Sequence, residues 1–290
     1  MAAREKHLIA LALWLTIGAA VAHTNTQSQR TPQRIISVIP AVTEMLFALG
    51  AGDRVVGVGT FDKHPPEVET LPKVGALLDP DLEKILSLRP DLVAVYASQS
   101  DLRQQLERAG VPVFVYTHGG LTGVLSTLSE LGGRVAAAER ARGLIAEIEQ
   151  RLKAVRGRRP LRPAPRTLIV MGRDSFSLRG IYASGGVGFI HDMVTAAGGA
   201  NVFADLQQEA VQATTEQIIA RRPEVIIELV AEPMAPADVV KERTVWKSLA
   251  SVPAVRNNRI HIVADRRTVI PGPRVAEGVE VIAATLHPER

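Results

Sequence analysis

The stretch Arg134–Arg156, RVAAAERARGLIAEIEQRLKAVR, decides how the rest of the chain is read. Ala141, Leu144, Ile145, Ile148, Leu152 and Val155 recur at steps of three and four, which is one apolar face of a helix. Ala, Leu, Glu and Arg fill the other positions, and all are good helix formers. Glu147 and Arg151 form an i,i+4 pair, and Arg and Lys collect toward the C-terminal end, where the helix dipole favours positive charge. The spacing predicts one long helix over residues 134–157.

Similar text lies on both sides of this helix. Asp81–Tyr96 reads DLEKILSLRPDLVAVY, and Thr214–Leu229 reads TTEQIIARRPEVIIEL. Glu83, Arg89, Pro90 and Asp91 answer to Glu216, Arg222, Pro223 and Glu224. A weaker echo pairs MLFALGAGDRV at 45–55 with MVTAAGGANV at 193–202. Two halves joined by one helix account for the repeat. In each half, continuous apolar runs alternate with helical patterns. The runs fall near 34–39, 55–59, 92–96 and 113–116, then near 167–171, 225–229 and 260–263. Such alternation predicts parallel sheets with right-handed crossovers. The fold class is therefore α/β, with Rossmann-like lobes over 34–133 and 163–290 bridged by the helix at 134–157. The segment 172–186 is predicted as a long polar and aromatic loop.

The 290 residues contain 46% hydrophobic positions, enough for substantial cores, and no Cys. Stability must come from packing without disulfides. The formal charge of +4 is modest for this length and does not demand an anionic partner. The basic text RGRRPLRPAPR at 156–166 reads as a Pro-stiffened solvated linker, so no nucleic-acid partner is expected. At the start, Arg4 and Lys6 precede an apolar run from Leu8 to Ala20, and Ala20-Val21-Ala22 has the form of a cleavage site. Residues 1–22 are read as a secretory signal peptide. With no Cys to carry a lipid, the expected product is a soluble periplasmic protein and not a lipoprotein.

Ligands of open parallel sheets bind beyond the C-terminal ends of the strands. That rule selects the loops that begin at Pro40, Thr60, Ala97 and Thr117, and in the second half those at Gly172, Val230 and Ala264. If the halves face each other, Phe61, His64, Tyr96 and His118 line one wall. Arg173, Phe176, Tyr182, Arg266 and Arg267 line the other. Aromatic rings with a few guanidinium groups suit a large, flat or acidic small molecule. His64 and His118, with Asp265 or Glu209, are the groups from which a metal site would be built, but no local His spacing supports one. Ser184–Gly188 (SGGVG) fails as a dinucleotide fingerprint, because His191 stands where the third Gly belongs. No nucleophile elbow, phosphate loop or zinc-protease motif is present, so nothing asks for an enzyme.

The text RIISVIPAVTEMLFALGAGDRVVGVGTFDKHPPE, then LPKVG and DLEKILSLRPDLV, then AAGGANVFAD and TTEQIIARRPEVII, resembles the periplasmic substrate-binding proteins of ABC importers. The subgroup is the one that carries cobalamin, haem and ferric siderophores. The resemblance implies the helical-backbone, or class III, arrangement, with cargo held between the lobes and little hinge closure. It implies that Glu83 and Glu216, one exposed acid per lobe, dock onto a dimeric membrane permease. The expected protein is a monomer with no cofactor of its own. Around Pro40 and Val74-Gly75 the text is closest to the cobalamin branch, so cobalamin or a related corrinoid is the first expected cargo. Ferric siderophore or haem is the alternative. Leu77 stands where a relative's corrin-packing Trp falls, and Ala76 where haem relatives carry a ligating Tyr. The reading of another class is an exported chelatase-like enzyme. The expected binding residues are Pro40, Phe61, His64, Tyr96, Arg173, Tyr182 and Arg267.

Overall fold

In each half a short parallel sheet grows from the apolar runs. The computed structural model describes residues 30–158 and 163–288. Strands β1 (Ile35–Ser37), β2 (Val55–Val58), β3 (Leu92–Tyr96) and β4 (Val113–Tyr116) are parallel, in the order β2-β1-β3-β4. β1 is buried throughout, as expected of a strand covered on both faces. Helices α1 (Pro40–Ala48), α2 (Leu82–Ser87), α3 (Ser100–Arg108) and α4 (Leu121–Arg134) provide the connections. Pro40 takes the first helical position of α1, where its missing N–H costs nothing.

Helix α5 (Ala138–Gly157) crosses to the second half. At 20 residues it is about 30 Å long. It buries Ala141, Ile148, Leu152 and Val155, all on the predicted face. The predicted start at 134 is corrected: Arg134 closes α4, and a tight turn with Ala136 at φ +57° separates the two helices. The turn lets α4 and α5 pack closely at Gly132. A side chain at 132 would meet the Ala141 methyl at 2.5 Å, so only Gly fits.

The second half contains β5 (Arg166–Gly172), β6 (Ile181–Ser184), α6 (Phe189–Ala197), β7 (Ala200–Asn201), β8 (Ala210–Ala213), α7 (Thr215–Arg221) and β9 (Val225–Val230). It closes with α8 (Pro236–Val245), α9 (Pro253–Arg256), β10 (Ile260–Ala264) and α10 (Val275–Leu286). β7, β5, β9 and β10 repeat the parallel order of the first sheet. The expectation of a loop over 172–186 is corrected here, because β6 lies within it and adds an antiparallel strand to the parallel sheet. β6 pairs antiparallel with both β5 and β8. Among the described residues no helix is long and apolar enough to cross a membrane.

The repeated text has matching hydrogen bonds. The Asp91 carboxylate accepts from the backbone N–H of Gln33 and Arg34 at 2.7–3.0 Å, and Glu224 accepts from that of Arg166 at 2.9 Å. The Arg34 guanidinium donates to Leu88 O and Arg89 O at the end of α2, and Arg166 donates to Arg221 O at the end of α7. Arg89 and Arg222 both turn the chain through the left-handed region, at φ +48° and +47°. Each Arg-Pro-acid triplet thus ends a helix and ties it to the strand beside it.

One apolar core runs from β1 and β3 through Ile148, Leu152 and Val155 of α5 to Met193 of α6 and Val279 and Ile282 of α10. A second lies on the far face of the C-terminal sheet around Phe203 and Trp246. β5 divides between them by its period of two: Ile169 joins the first, and Leu168 and Val170 join the second. Residues 31–290 accordingly form one compact unit.

Candidate functional site

The strand ends of the two halves open on a common seam. Arg266, just after β10, donates to Phe61 O at 2.9 Å, just after β2. Asp192 of α6 accepts from Leu121 N at the start of α4, at 2.9 Å. Arg274, before α10, binds Glu44 of α1 through two hydrogen bonds of 2.8 and 3.0 Å. From α5, Arg151 reaches Glu280 at 2.8 Å and Glu277 at 3.2 Å. Glu44 is 4% exposed, so its charge is held by a guanidinium in a nearly dry place.

On the N-terminal wall, Phe61 presents its ring to solvent at 66% exposure. Lys73 Nζ donates to Asp62 O and Val68 O and fixes the loop beneath it. Tyr96, at the end of β3, has its N–H bound by Gln99 Oε1, and the Gln99 amide donates to Leu77 O at 3.0 Å. One side chain therefore holds Tyr96 and the exposed Leu77-Leu78 tip together. Tyr96 stands opposite Tyr116 in the β3–β4 register. Their rings meet edge to face at 5.8 Å, and His118 stacks on Tyr96 at 5.8 Å. Burial, together with Tyr96 and with Glu209 from the other half, raises the Tyr116 hydroxyl well above the ordinary tyrosine value. Burial and Asp62 raise that of Tyr96. Both phenols therefore stay neutral and can donate hydrogen bonds.

In the C-terminal half, Arg173 is placed differently from its expectation. Arg173 does not face the cleft as a free guanidinium. Its side chain is 3% exposed, pairs with Glu228 at 3.0 Å and Glu242 at 2.7 Å, and lies over the Trp246 ring. The Trp246 indole N–H also donates to Glu228, and Glu242 accepts from Phe176 N. Arg173 is thus corrected from a cargo contact to the buried centre of a loop-holding network. Phe176, at φ +56°, is lifted to 51% exposure by that loop, with Lys241 over its ring. Tyr182 is 52% exposed on β6. Arg267 is half-buried and bound by Asp265 at 2.6 Å and Glu277 at 3.1 Å. The Arg267 hydrogen bond holds the Asp265 carboxyl below its ordinary value.

His64 lines a cavity of about 380 Å³ with Glu44, Phe47, Leu144, Ile148 and Arg274, between α1, α5 and the start of α10, and neither Phe61 nor Tyr96 is among its lining residues. Burial and the nearby Arg274 hold the imidazole below its ordinary value. Pro40 is half-buried at the head of α1. Among the described residues no group of three or more His, Asp or Glu is arranged to hold a metal ion.

Glu83 and Glu216 occupy the same place in the two halves. Each is exposed and second in its helix, behind the N-caps Asp81 and Thr214. Hydrogen bonds from its own backbone N–H and from Thr214 lower the Glu216 carboxyl, as an anion at a helix start requires. Sequence reasoning missed Tyr116, Asp62, Asp192 and the Glu44–Arg274 pair. Tyr116 had a usable signal, an aromatic closing β4 as Tyr96 closes β3. The others depend on partners distant in sequence.

Two wound halves and a helix that shares their core define a helix-bridged binding fold. The family model described as periplasmic binding protein matches residues 35–266, and the chain belongs to that family. An uncharacterized ABC transporter substrate-binding lipoprotein of Bacillus subtilis (strain 168), YvrC, is 30% identical over 271 residues, which are 90% of this chain and 82% of the relative. The vitamin B12-binding protein of Yersinia pestis is 28% identical over 204 residues, 70% of this chain and 71% of the relative. Among solved structures, the periplasmic heme-binding protein RhuT from Roseiflexus sp. RS-1 superposes with a TM-score of 0.75 at 27% identity, covering 88% of this chain and 98% of the other. These relatives overturn one expectation. The Bacillus protein is by name a lipoprotein, which conflicts with reading this chain as a soluble product that is not a lipoprotein. The apolar run and the 1–22 segment behind that reading lie outside the described residues.

Proposed function

We propose that this protein is the solute-binding component of an ABC importer, that it captures a corrinoid such as cobalamin in the interlobe cleft, and that it delivers this cargo to a permease dimer. One observation carries the reading. Phe61, Leu77, Leu78, Phe176 and Tyr182 are large apolar or aromatic side chains left exposed on strand-end segments of both halves. Large apolar side chains left in solvent are candidates for contact with a partner or ligand. Broad rings on both walls suit a wide, flat macrocycle, and the neutral phenols and amides nearby suit its polar rim. The similarity to a vitamin B12-binding protein supports the same cargo. The exposed acids Glu83 and Glu216, at matched helix starts, support docking onto a pseudo-symmetric partner. Binding followed by release, rather than turnover as in a chelatase-like enzyme, is the role that fits.

A second reading, haem, is favoured by His118. Its imidazole is exposed at the cleft and stacked on Tyr96, where an iron-bound macrocycle would find an axial ligand. The test is titration of the purified protein with cyanocobalamin and, separately, with haemin, followed by visible absorption. Saturable cyanocobalamin binding supports the first reading. A haem Soret shift abolished by His118→Ala supports the second, and binding of neither refutes both.

A further inference from the structure

The loop over 59–65, which carries Phe61, rests on one buried acid. Asp62 is 1% exposed. Its main chain is fixed: the N–H donates to Gly59 O at 3.2 Å, and the carbonyl accepts from Lys73 Nζ at 3.3 Å. Its side chain is held more loosely: no hydrogen bond of ordinary geometry is made by either carboxyl oxygen or by the buried Thr43 Oγ1 of α1, although the Thr43 hydroxyl and the Gly59 backbone lie near enough to favour the charged form. Glu44, Glu228 and Glu242, the buried carboxylates described above, each hold a guanidinium instead. The groups that face Asp62 are Glu44 from α1, Lys73 from the segment after the loop and Tyr96 from the end of β3. An ionised Asp62 sits in a dry place beside the like charge of Glu44, with Lys73 as its counter-charge. Burial outweighs the Thr43 hydroxyl, Lys73 and the Gly59 backbone, and lifts the carboxyl to about 6. The residue before it, Phe61, is both the exposed ring of the N-terminal wall and the acceptor for Arg266 from the other half.

We infer that Asp62 is a positioning residue for the cleft: its neutral carboxyl lets the loop seat Phe61 against Arg266, and its ionisation unseats the loop, so that cargo binding is coupled to one proton. This rests on reading the interlobe cleft as the cargo site. The sign follows from linkage. The carboxyl titrates higher in the seated loop, at about 6, than its ordinary value of 3.8, so the seated state takes up a proton. Seating is at full strength below the ordinary value, declines as pH rises through about 6, and stays low above that. The gap of roughly two pH units sets a ceiling of about a hundredfold on the change in affinity.

The test has two arms. Cyanocobalamin, whose own charge is constant over this range, is titrated into the wild type and Asp62→Asn from pH 4.5 to 7.5. The expected result is a loss of threefold or more in wild-type affinity, roughly, against a flat profile near the acid value in the neutral isostere. The second arm needs no cargo. In the unliganded wild type, carboxyl NMR follows Asp62 while 4-fluorophenylalanine at position 61 reports the loop. Co-titration of the two signals supports the inference even if Asp62→Asn does not fold or cyanocobalamin does not bind. An unmoved Phe61 signal, or identical pH profiles for wild type and Asp62→Asn, overturns it. Failure of cyanocobalamin to bind at any pH, with co-titration intact, counts against the cargo reading alone.

Discussion

Replacing Arg173 by Ala should damage the fold far more than it changes cargo preference. The guanidinium is 3% exposed and makes two hydrogen bonds to Glu228, at 3.0 and 3.1 Å. It also donates to Ser177 O at 2.9 Å and Glu242 O at 3.1 Å, and it pairs with the Glu242 carboxylate at 2.7 Å. Ala would strand Glu228 and Glu242, which are 7% and 6% exposed, without their cation. Breaking a buried pair from one side costs about 3–5 kcal/mol. For a unit of this size that lowers Tm by about 10 °C. The assay is urea and thermal denaturation followed by circular dichroism, with exposed Arg179→Ala as a control expected within about 0.5 kcal/mol of wild type. In a folded preparation, affinities for neutral and acidic chelates should fall together, because the guanidinium is already occupied by Glu228 and Glu242 and covered by Trp246. A stability loss below about 1 kcal/mol, or a selective loss for acidic chelates, would refute the reasoning.

On the cleft walls, Tyr96→Ala and Tyr182→Ala should each weaken cyanocobalamin binding by about 1–3 kcal/mol, measured by calorimetry; unchanged affinity in both would misplace the pocket. Glu83→Arg with Glu216→Arg should bind cargo normally yet fail to support uptake into vesicles containing the cognate importer, since like charges then meet at the interface. Gly132→Leu should cost about 1–3 kcal/mol or more by overpacking at Ala141, and wild-type stability in that variant would contradict the close helix crossing. Small-angle scattering with and without cargo should show nearly the same radius of gyration, whereas a large contraction would contradict a core shared through α5.

The repeat was legible because its residues do the same local work twice. Asp91 and Glu224 must follow an Arg-Pro turn to reach the backbone of the neighbouring strand, and that constraint appears as text. The helix break at 135–137 was not legible. Val-Ala-Ala carries no stop signal, and close packing of α4 on α5 imposes the turn at Ala136. β6 escaped because Ile-Tyr-Ala-Ser is a short alternation bounded by Gly and becomes a strand only where β8 pairs with it. Arg173 was misplaced for a related reason. It stands in the segment between β5 and β6, but Glu228 and Glu242 lie 55 and 69 residues away, and nothing local shows that the guanidinium turns inward.

The continuity of the apolar core through α5 bears on how cargo leaves. Lobes joined by a flexible strand can trade cargo for solvent by swinging on their own thermal motion. Here, parting the two halves would expose Ile148, Leu152 and the α6 and α10 residues packed behind them, a cost of several kcal/mol set against nothing the protein gains alone. Spontaneous opening is therefore expected to be rare, and on the proposed role discharge would wait on a partner that grips both halves at once and does mechanical work on the seam, as a rigid cup has to be pried.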